Sequence, residues 1–515
     1  MNLKLMLEET AKQYGGKTAF ALGEHRLSYA ELDEASNKVA NALIKMGVVK
    51  GDRVAMLLSN VPEFPVIYFG IVKAGGIAVP LDIRYKVDEL VSLCDNSKPK
   101  VMVTESPCLE PLIPALPQFK SIEQVVDMSS KYEGQFPSYR EIMATSSPQK
   151  VKVALEPEDV THISYASGAS HPKGAMLTHH GLMTEAAIGG DVFQQTDRDI
   201  LLLYSLPMCR TFGLVVMMLT PVSKGSTVVI DPGLSISSCL ELIEKERVTI
   251  LMGVPSAFTL AVNLAEKEGV QHDLSSLRLC GSAGAPLPVD IIKQFKKLYG
   301  LDIVNFWGLT ESTALVTSQP IDGTGKIGAV GKVLPGWKLK IVDDDGQELT
   351  PNEPGEVIVR GPIMKGYYGN PQATAEVIKN GWLYTGDIGK VDEDGYLFIL
   401  DKKKDMIIVA GQNIYADDIE EVLNTHPKVA EVAVVGIPDK LRGEAVRAVI
   451  RLKEGAIATE REIKQFCRKR LADFKVPKQI VFVTSLPKTI TGKIRKEVLK
   501  QMSIPDHARR WRRHL

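Results

Sequence analysis

Val54-Ala55-Met56-Leu57-Leu58 and, after a helical pattern through Phe69 and a turn at Gly75-Gly76, Ile77-Ala78-Val79-Pro80-Leu81 are the stretches that decide the fold class. Both runs are apolar at every position, so each strand must be buried on both faces. A parallel sheet covered by helices provides that environment. Upstream, residues 29–46 place apolar side chains three and four apart, the period of an amphipathic helix. The same alternation of helix and strand continues to about residue 330. After Gly336 the texture changes. Residues 338–343, 355–360 and 396–400 read as short strands parted by Asp344-Asp345-Gly346 and Asp394-Gly395, a small antiparallel β unit. From about Lys403 a further unit begins, with 419–423 helical and 431–437 a strand, ending near Met502.

Composition bounds the rest. A chain of 515 residues exceeds one ordinary core and predicts two to four structural units. Apolar residues at 44% and charged residues at 24% describe an ordinary globular protein. Lys plus Arg (62) equals Asp plus Glu (62), which gives no electrostatic footprint for nucleic acid or a membrane surface. The six cysteines lie at 94, 108, 209, 239, 280 and 467 with no C-x-x-C spacing, so neither a zinc site nor a disulfide framework is expected. The first residues are too acidic for a signal peptide. The longest apolar run, 214–222, falls far short of a membrane span. A cytoplasmic location is the expectation. The basic tail, 503–515, reads as a solvated end.

Four stretches carry chemistry. Tyr165-Ala166-Ser167-Gly168-Ala169-Ser170-His171-Pro172-Lys173-Gly174 follows a buried strand; its small residues let backbone N–H groups converge on an anion, and Lys173 supplies countercharge. In Asn305-Phe306-Trp307-Gly308-Leu309-Thr310-Glu311 an aromatic ring beside glycine suits a purine. Thr310 offers a phosphate hydrogen bond there, and Glu311 offers a hard-cation ligand. In Tyr384-Thr385-Gly386-Asp387 a carboxylate after a tight turn suits two ribose hydroxyls. Pro487-Lys488-Thr489-Ile490-Thr491-Gly492-Lys493 puts a lysine on a glycine turn. Each alone reads equally well as an ordinary turn, strand end or loop lysine.

Their order and separation resemble the adenylate-forming superfamily of acyl-CoA synthetases, luciferases and peptide-synthetase adenylation domains. Within it the chain looks most like the AMP-forming medium- and long-chain fatty acyl-CoA ligases. The resemblance runs from about Leu3 to about Met502. It is also carried by Leu27-Ser28-Tyr29-Ala30-Glu31-Leu32, Lys73-Ala74-Gly75-Gly76, Gly284-Ala285-Pro286-Leu287, Gly355-Glu356 and Gly411-Gln412-Asn413-Ile414. It implies an N-terminal domain over 1–401, built of two α/β subdomains plus a small β subdomain. A hinge over 402–404 and a small mobile α+β C-terminal domain over 405–502 follow.

The resemblance also implies a carboxylate attacking the α-phosphate of ATP, then a thiol, CoA being the expected one, displacing AMP. Carried over by position, Trp307 stacks on adenine, with Gly284, Ala285, Pro286, Asn305, Phe306 and Gly308 around it. Thr310 holds the α-phosphate, Glu311 ligates Mg²⁺, Asp387 and Lys402 hold the ribose, and Ser167, Gly168, Ser170 and Lys173 line the phosphate loop. Lys493 serves adenylation, Lys404 is the hinge and Gly411 faces the thiol step. Phe212, Val254, Phe258, Ser282 and Phe306 border the acyl chain. A homodimer is the family-level expectation.

Three departures stand out. The family's loop, Y-T-S-G-T-T-G-x-P-K-G, has four residues between Gly and Pro where this chain has three, Ala169-Ser170-His171. Arg210 replaces the usual His of L-P-x-F-H-x-x-G, bringing a permanent charge suited to carboxylate or phosphate. Lys402 replaces an Arg. The AMP half of the site is whole while the pyrophosphate half is rebuilt. Three functions therefore stay open: an acyl-CoA synthetase, an adenylyltransferase moving AMP between acyl-AMP and orthophosphate to give ADP, and a weakly catalytic nucleotide or acyl binder. Retention of Lys493 and its glycine turn counts against the last.

Overall fold

The computed structural model describes residues 2–129, 131–132, 134–165, 172–231, 233, 235–402, 406–487 and 494–502, without the side chains of 401 and 402. The described residues form two compact units. One draws on the described residues of 2–83, 91–165 and 172–402, the other on those of 84–90, 406–487 and 494–502.

The first unit contains two largely parallel sheets. In the six-stranded sheet the order is Gln124–Asp127, Val101–Thr104, Arg53–Leu57, Ile77–Pro80, Val160–Tyr165, Gly174–Thr178, antiparallel at the last pair. The two runs that fixed the fold class are thus adjacent central strands. The helix Tyr29–Lys45 starts at a capping box made by Ser28 and Glu31. It lies against Glu63–Lys73 so closely that a Cβ on Gly70 would meet the Val39 side chain at 2.4 Å. Lys73 is fully buried between these helices, satisfied by the Asp33 carboxylate at 2.6 Å and the Asn37 amide oxygen at 2.8 Å.

The nine-stranded sheet has six parallel central strands, in the order Ile303–Trp307, Leu279–Ser282, Ile250–Gly253, Ile200–Leu203, Thr227–Ile230, Thr18–Leu22. Alternate residues feed different cores. Leu201 and Leu203 face one, with Met252 and Val304, while Leu202 faces another, with Leu251 and Cys280. That two-sided burial explains the unbroken apolar runs.

The strands Lys338–Val342, Gly355–Arg360 and Leu397–Lys402 make the expected antiparallel unit, the last shifted slightly beyond the sequence estimate. Trp382–Val391, where the sequence read only a tight turn before Asp387, is a further strand between the last two. The apolar run 214–222 forms a π-helix, Phe212–Leu219, that continues as an α-helix over Thr220–Lys224. No helix among the described residues is long and apolar enough to cross a membrane. In the second unit Val429–Asp439 pairs antiparallel with Gly443–Leu452, which pairs parallel with Gln479–Phe482. The helices Ala416–Asn424 and Glu460–Arg468 add their buried faces to its core. The whole is the α/β class read from the sequence.

Candidate active site

Four neighbouring parallel strands of the larger sheet end on the same side, and each runs directly into a candidate segment. Ile200–Leu203 leads to Arg210, Ile250–Gly253 to Val254, Leu279–Ser282 to Gly284-Ala285-Pro286, and Ile303–Trp307 to Thr310 and Glu311. Gly253, Ser282 and Asn305 lie in one row across the ladder. Carboxyl ends of parallel strands form a natural crevice for ligands. Gly284 takes a left-handed backbone, φ +83°, which its lack of a Cβ permits.

The two stretches read as candidates for adenine and ribose, eighty positions apart, meet side chain to side chain. The Trp307 indole Nε1 donates to Asp387 Oδ2 at 2.8 Å, and both residues are buried. Asp387 is placed by the antiparallel pair Gly355–Arg360 and Trp382–Val391, whose register shifts between Glu356 and Ile358. At that irregularity Gly386 has φ +72° and its N–H donates to Glu356 Oε1 at 3.1 Å. The Thr385 hydroxyl donates to Val357 O at 2.6 Å. Lys402 stands directly across the next ladder from Asp387.

The loop carrying Thr310 and Glu311 is tightly held. A Cβ on Gly308 would lie 1.5 Å from Ala314 O, so only glycine fits there. The Leu309 N–H donates to Ser312 Oγ at 2.8 Å. Glu311 accepts a hydrogen bond from the Tyr367 hydroxyl at 2.8 Å on Oε1, and its backbone oxygen accepts from Met364 N at 2.8 Å. The Lys173 ammonium stands 5.8 Å from the Tyr367 ring centre, which brings the described end of the phosphate loop to the same tyrosine.

Arg210 joins the two sheets. Its Nη1 donates at 2.5 Å to the carbonyl of Tyr165, the last residue of Val160–Tyr165, and its Nη2 lies 3.4 Å from the buried Asp82 carboxylate just beyond Ile77–Pro80. The guanidinium therefore rivets the root of the phosphate loop to the neighbouring strand end while its charge is partly balanced. The π-helix begins two residues later. Its Gly213 is pressed against Pro207, where a Cβ would meet the carbonyl oxygen at 2.1 Å, and its Phe212 ring packs edge-on to Phe306 at 5.3 Å.

The chain matches known proteins over nearly its full length. A family model described as AMP-binding enzyme covers residues 7–368, and one described as AMP-binding enzyme C-terminal domain covers 418–493. The chain belongs to the AMP-binding enzyme family. Among relatives of this AMP-binding enzyme, a long-chain-fatty-acid–CoA ligase of Bacillus subtilis is 33% identical, aligned over 98% of this chain and 95% of that protein. An indoleacetate–CoA ligase of Aromatoleum aromaticum is 34% identical over 98% of each. The amide bond synthetase McbA of Marinactinospora thermotolerans superposes with a TM-score of 0.88 at 27% identity, covering 97% of this chain and 99% of that one.

Of the acyl-pocket candidates in this AMP-binding enzyme, Phe212, Val254 and Phe306 share one core. Ser282 is wholly buried, its hydroxyl without a hydrogen-bond partner among the described residues. Phe258 is separate: it packs edge-on to Phe295 at 5.3 Å in the core of the other sheet face. Gly411 occupies the second position of a two-residue hairpin turn in the second unit. Ser167, Gly168, Ser170, Lys404 and Lys493 lie outside the described residues. Asp82 and Tyr367 were missed by sequence reasoning, and Glu356 was quoted only as part of the resemblance, with no role assigned. Asp82 follows a wholly apolar strand, where a carboxylate at the strand's carboxyl end is the one available signal.

Proposed function

We propose that this chain activates a carboxylic acid, of the medium- to long-chain fatty class, as its acyl-adenylate and then transfers the acyl group to CoA. A carboxylate oxygen bonds to the α-phosphorus of ATP as the bond to pyrophosphate breaks. The thiol sulfur of CoA, losing its proton, then bonds to the acyl carbon as AMP leaves. The observation that carries this is the Trp307–Asp387 contact, which unites an aromatic ring suited to adenine with a carboxylate suited to ribose. Relatives described as CoA ligases at 33% and 34% identity support the reaction type.

Glu311 is a hard oxygen ligand whose orientation is set by Tyr367. Among the described residues no cluster of three or more His, Cys, Asp or Glu side chains forms a metal cage. One carboxylate completed by substrate phosphates is the way Mg²⁺ is commonly bound, so the residues fit that ion, which when bound offsets phosphate charge. Thr310 holds the α-phosphate, and Gly284, Ala285 and Pro286 line the base. Lys173 and Arg210 supply positive charge where carboxylate and phosphates meet. Lys493 contacts the reacting oxygens during adenylation, where one such charge contributes about 3 kcal/mol. The residues over 405–502 move about Lys404 between the half-reactions, bringing Gly411 to the thiol step. Six unpaired cysteines suit a reducing cytoplasm.

The test supplies chemically made acyl-AMP of several aliphatic chain lengths, and one arylacetyl-AMP, with CoA, pyrophosphate or orthophosphate separately, and follows nucleotides by chromatography. AMP with CoA and ATP with pyrophosphate are expected. ADP appearing only with orthophosphate would overturn the CoA assignment and make Arg210 and Lys173 an orthophosphate site.

A further inference from the structure

Glu185 is a fully buried carboxyl on the helix His179–Val192, the element that follows Lys173 and the strand Gly174–Thr178. Its Oε2 accepts the backbone N–H of Leu315 at 2.6 Å, and its Oε1 accepts the Trp337 indole N–H at 2.9 Å. Leu315 closes the loop that holds Thr310 and Glu311, since the next residue, Val316, returns its N–H to Trp307 O at 2.9 Å. Two glycines of the helix face the loop. A Cβ on Gly181 would make ordinary contact with Thr313 Oγ1 at 3.5 Å, and one on Gly189 with Leu315 Cδ1 at 3.4 Å. Gly181, Glu185 and Gly189 are spaced by four, one stripe of a helix face laid along 313–315. Thr313 itself has φ +66°, a strained backbone for a branched residue, and its hydroxyl is tied to Pro362 O at 2.7 Å.

We infer that Glu185 is a positioning residue for adenylation: from behind the active site its carboxyl fixes the base of the Thr310–Glu311 loop and couples that loop to the helix following the phosphate loop. The chemistry favours a carboxyl over its isosteres. Two N–H donors arrive on two different oxygens; in the protonated acid the hydroxyl oxygen keeps a lone pair for one of them, whereas a glutamine would turn an NH₂, which accepts nothing, toward that donor. Burying a carboxyl is costly, and burial pushes Glu185 up to about 8, against the pull of both hydrogen bonds. A group retained at that cost, with both acceptors engaged, fixes geometry. This inference rests on the proposed roles of Thr310 and Glu311.

The experiment compares E185Q, E185D and W337F with the native chain by amide hydrogen exchange of the peptide spanning 308–316, without nucleotide or metal. It also measures the two half-reactions separately. In E185Q the peptide is expected to exchange faster, and ATP–pyrophosphate exchange to fall by about tenfold or more, as for a displaced catalytic group. Thioester formation from acyl-AMP and CoA should change much less. E185D, which keeps the acid but retracts it by one methylene, should show the same pattern more weakly and provides the folded variant if E185Q does not accumulate. W337F removes the other donor and should lower the melting temperature without altering exchange at 308–316. A melting temperature lowered in E185Q and E185D with native loop exchange and native half-reactions would overturn the inference and leave Glu185 a packing residue. E311Q separates the two ideas. If it leaves ATP–pyrophosphate exchange intact, the role given to the loop fails, and Glu185 is then not a positioning residue for adenylation.

Discussion

Asp387 has two demands on one carboxylate: it accepts the buried Trp307 indole N–H, and it is proposed to hold the ribose. These separate by substitution. In D387N the amide oxygen still accepts from Nε1, so melting should change little while ATP affinity drops, since a hydrogen bond to a charged group contributes about 1.5–3 kcal/mol. In D387A the indole N–H is stranded in the core, which adds a stability loss of about 1–3 kcal/mol. Calorimetric ATP titration and thermal melting measure both; equal melting of the two variants would mean the indole finds another partner. Lys493→Ala is expected to abolish acyl-AMP formation almost entirely while AMP still binds, read by ATP–pyrophosphate exchange and AMP titration. Parallel loss of both would remove its assignment to the chemical step.

Among the elements, the hairpin Met406–Val409 and Gln412–Tyr415 shows what local sequence can and cannot reveal. Its two-residue loop, Ala410-Gly411, has φ +50° and +79°, the signs of a type I′ turn. Glycine is at home there and alanine is not. A410N should therefore stabilise this unit by about 0.5–1 kcal/mol, seen as a higher chemical-denaturation midpoint with unchanged slope; an unchanged midpoint would show that the alanine backbone is not strained. The glycine was legible in the sequence, as were the helix Tyr29–Lys45 and the strands around Ala55 and Val79, because each depends on neighbours in the chain. The Asp82–Arg210 pair joins positions 128 apart, and Glu185 meets Leu315 across 130, so neither leaves a local pattern. The π-helix after Arg210 was also hidden, because a wholly apolar run has no period to distinguish its winding.

For the molecule as a whole, three buried ionisable groups set opposing slopes of stability against pH. His162 sits in the core beside the Tyr68 ring, neither imidazole nitrogen having a hydrogen-bond partner among the described residues, and burial pushes it down to about 3. His179 accepts the Leu3 N–H at 3.4 Å and is pushed by burial to about 4. Both rings stay neutral in the fold while the unfolded chain takes up protons near 6.5, so stability falls as pH drops from 6.5 toward 3. Glu185 acts in the other direction. The native carboxyl keeps its proton to about 8 while the unfolded one loses it near 4.5, so its contribution is full below 4.5 and is lost as pH rises through 8. Between 4.5 and 6.5 the two histidines outweigh the one carboxyl, so stability still rises with pH there, more gently than below 4.5; thermal melting across pH 4–9 should peak near 6.5 and decline toward 8. H162L replaces a ring whose nitrogens have no hydrogen-bond partner among the described residues by an apolar side chain, and should make the acid decline shallower while leaving the alkaline decline in place. E185Q should do the converse, flattening the alkaline side around a lower maximum. If H162L instead shifts the curve down uniformly, the imidazole nitrogens are satisfied in solution, by ordered water for example, and the acid decline belongs to other groups.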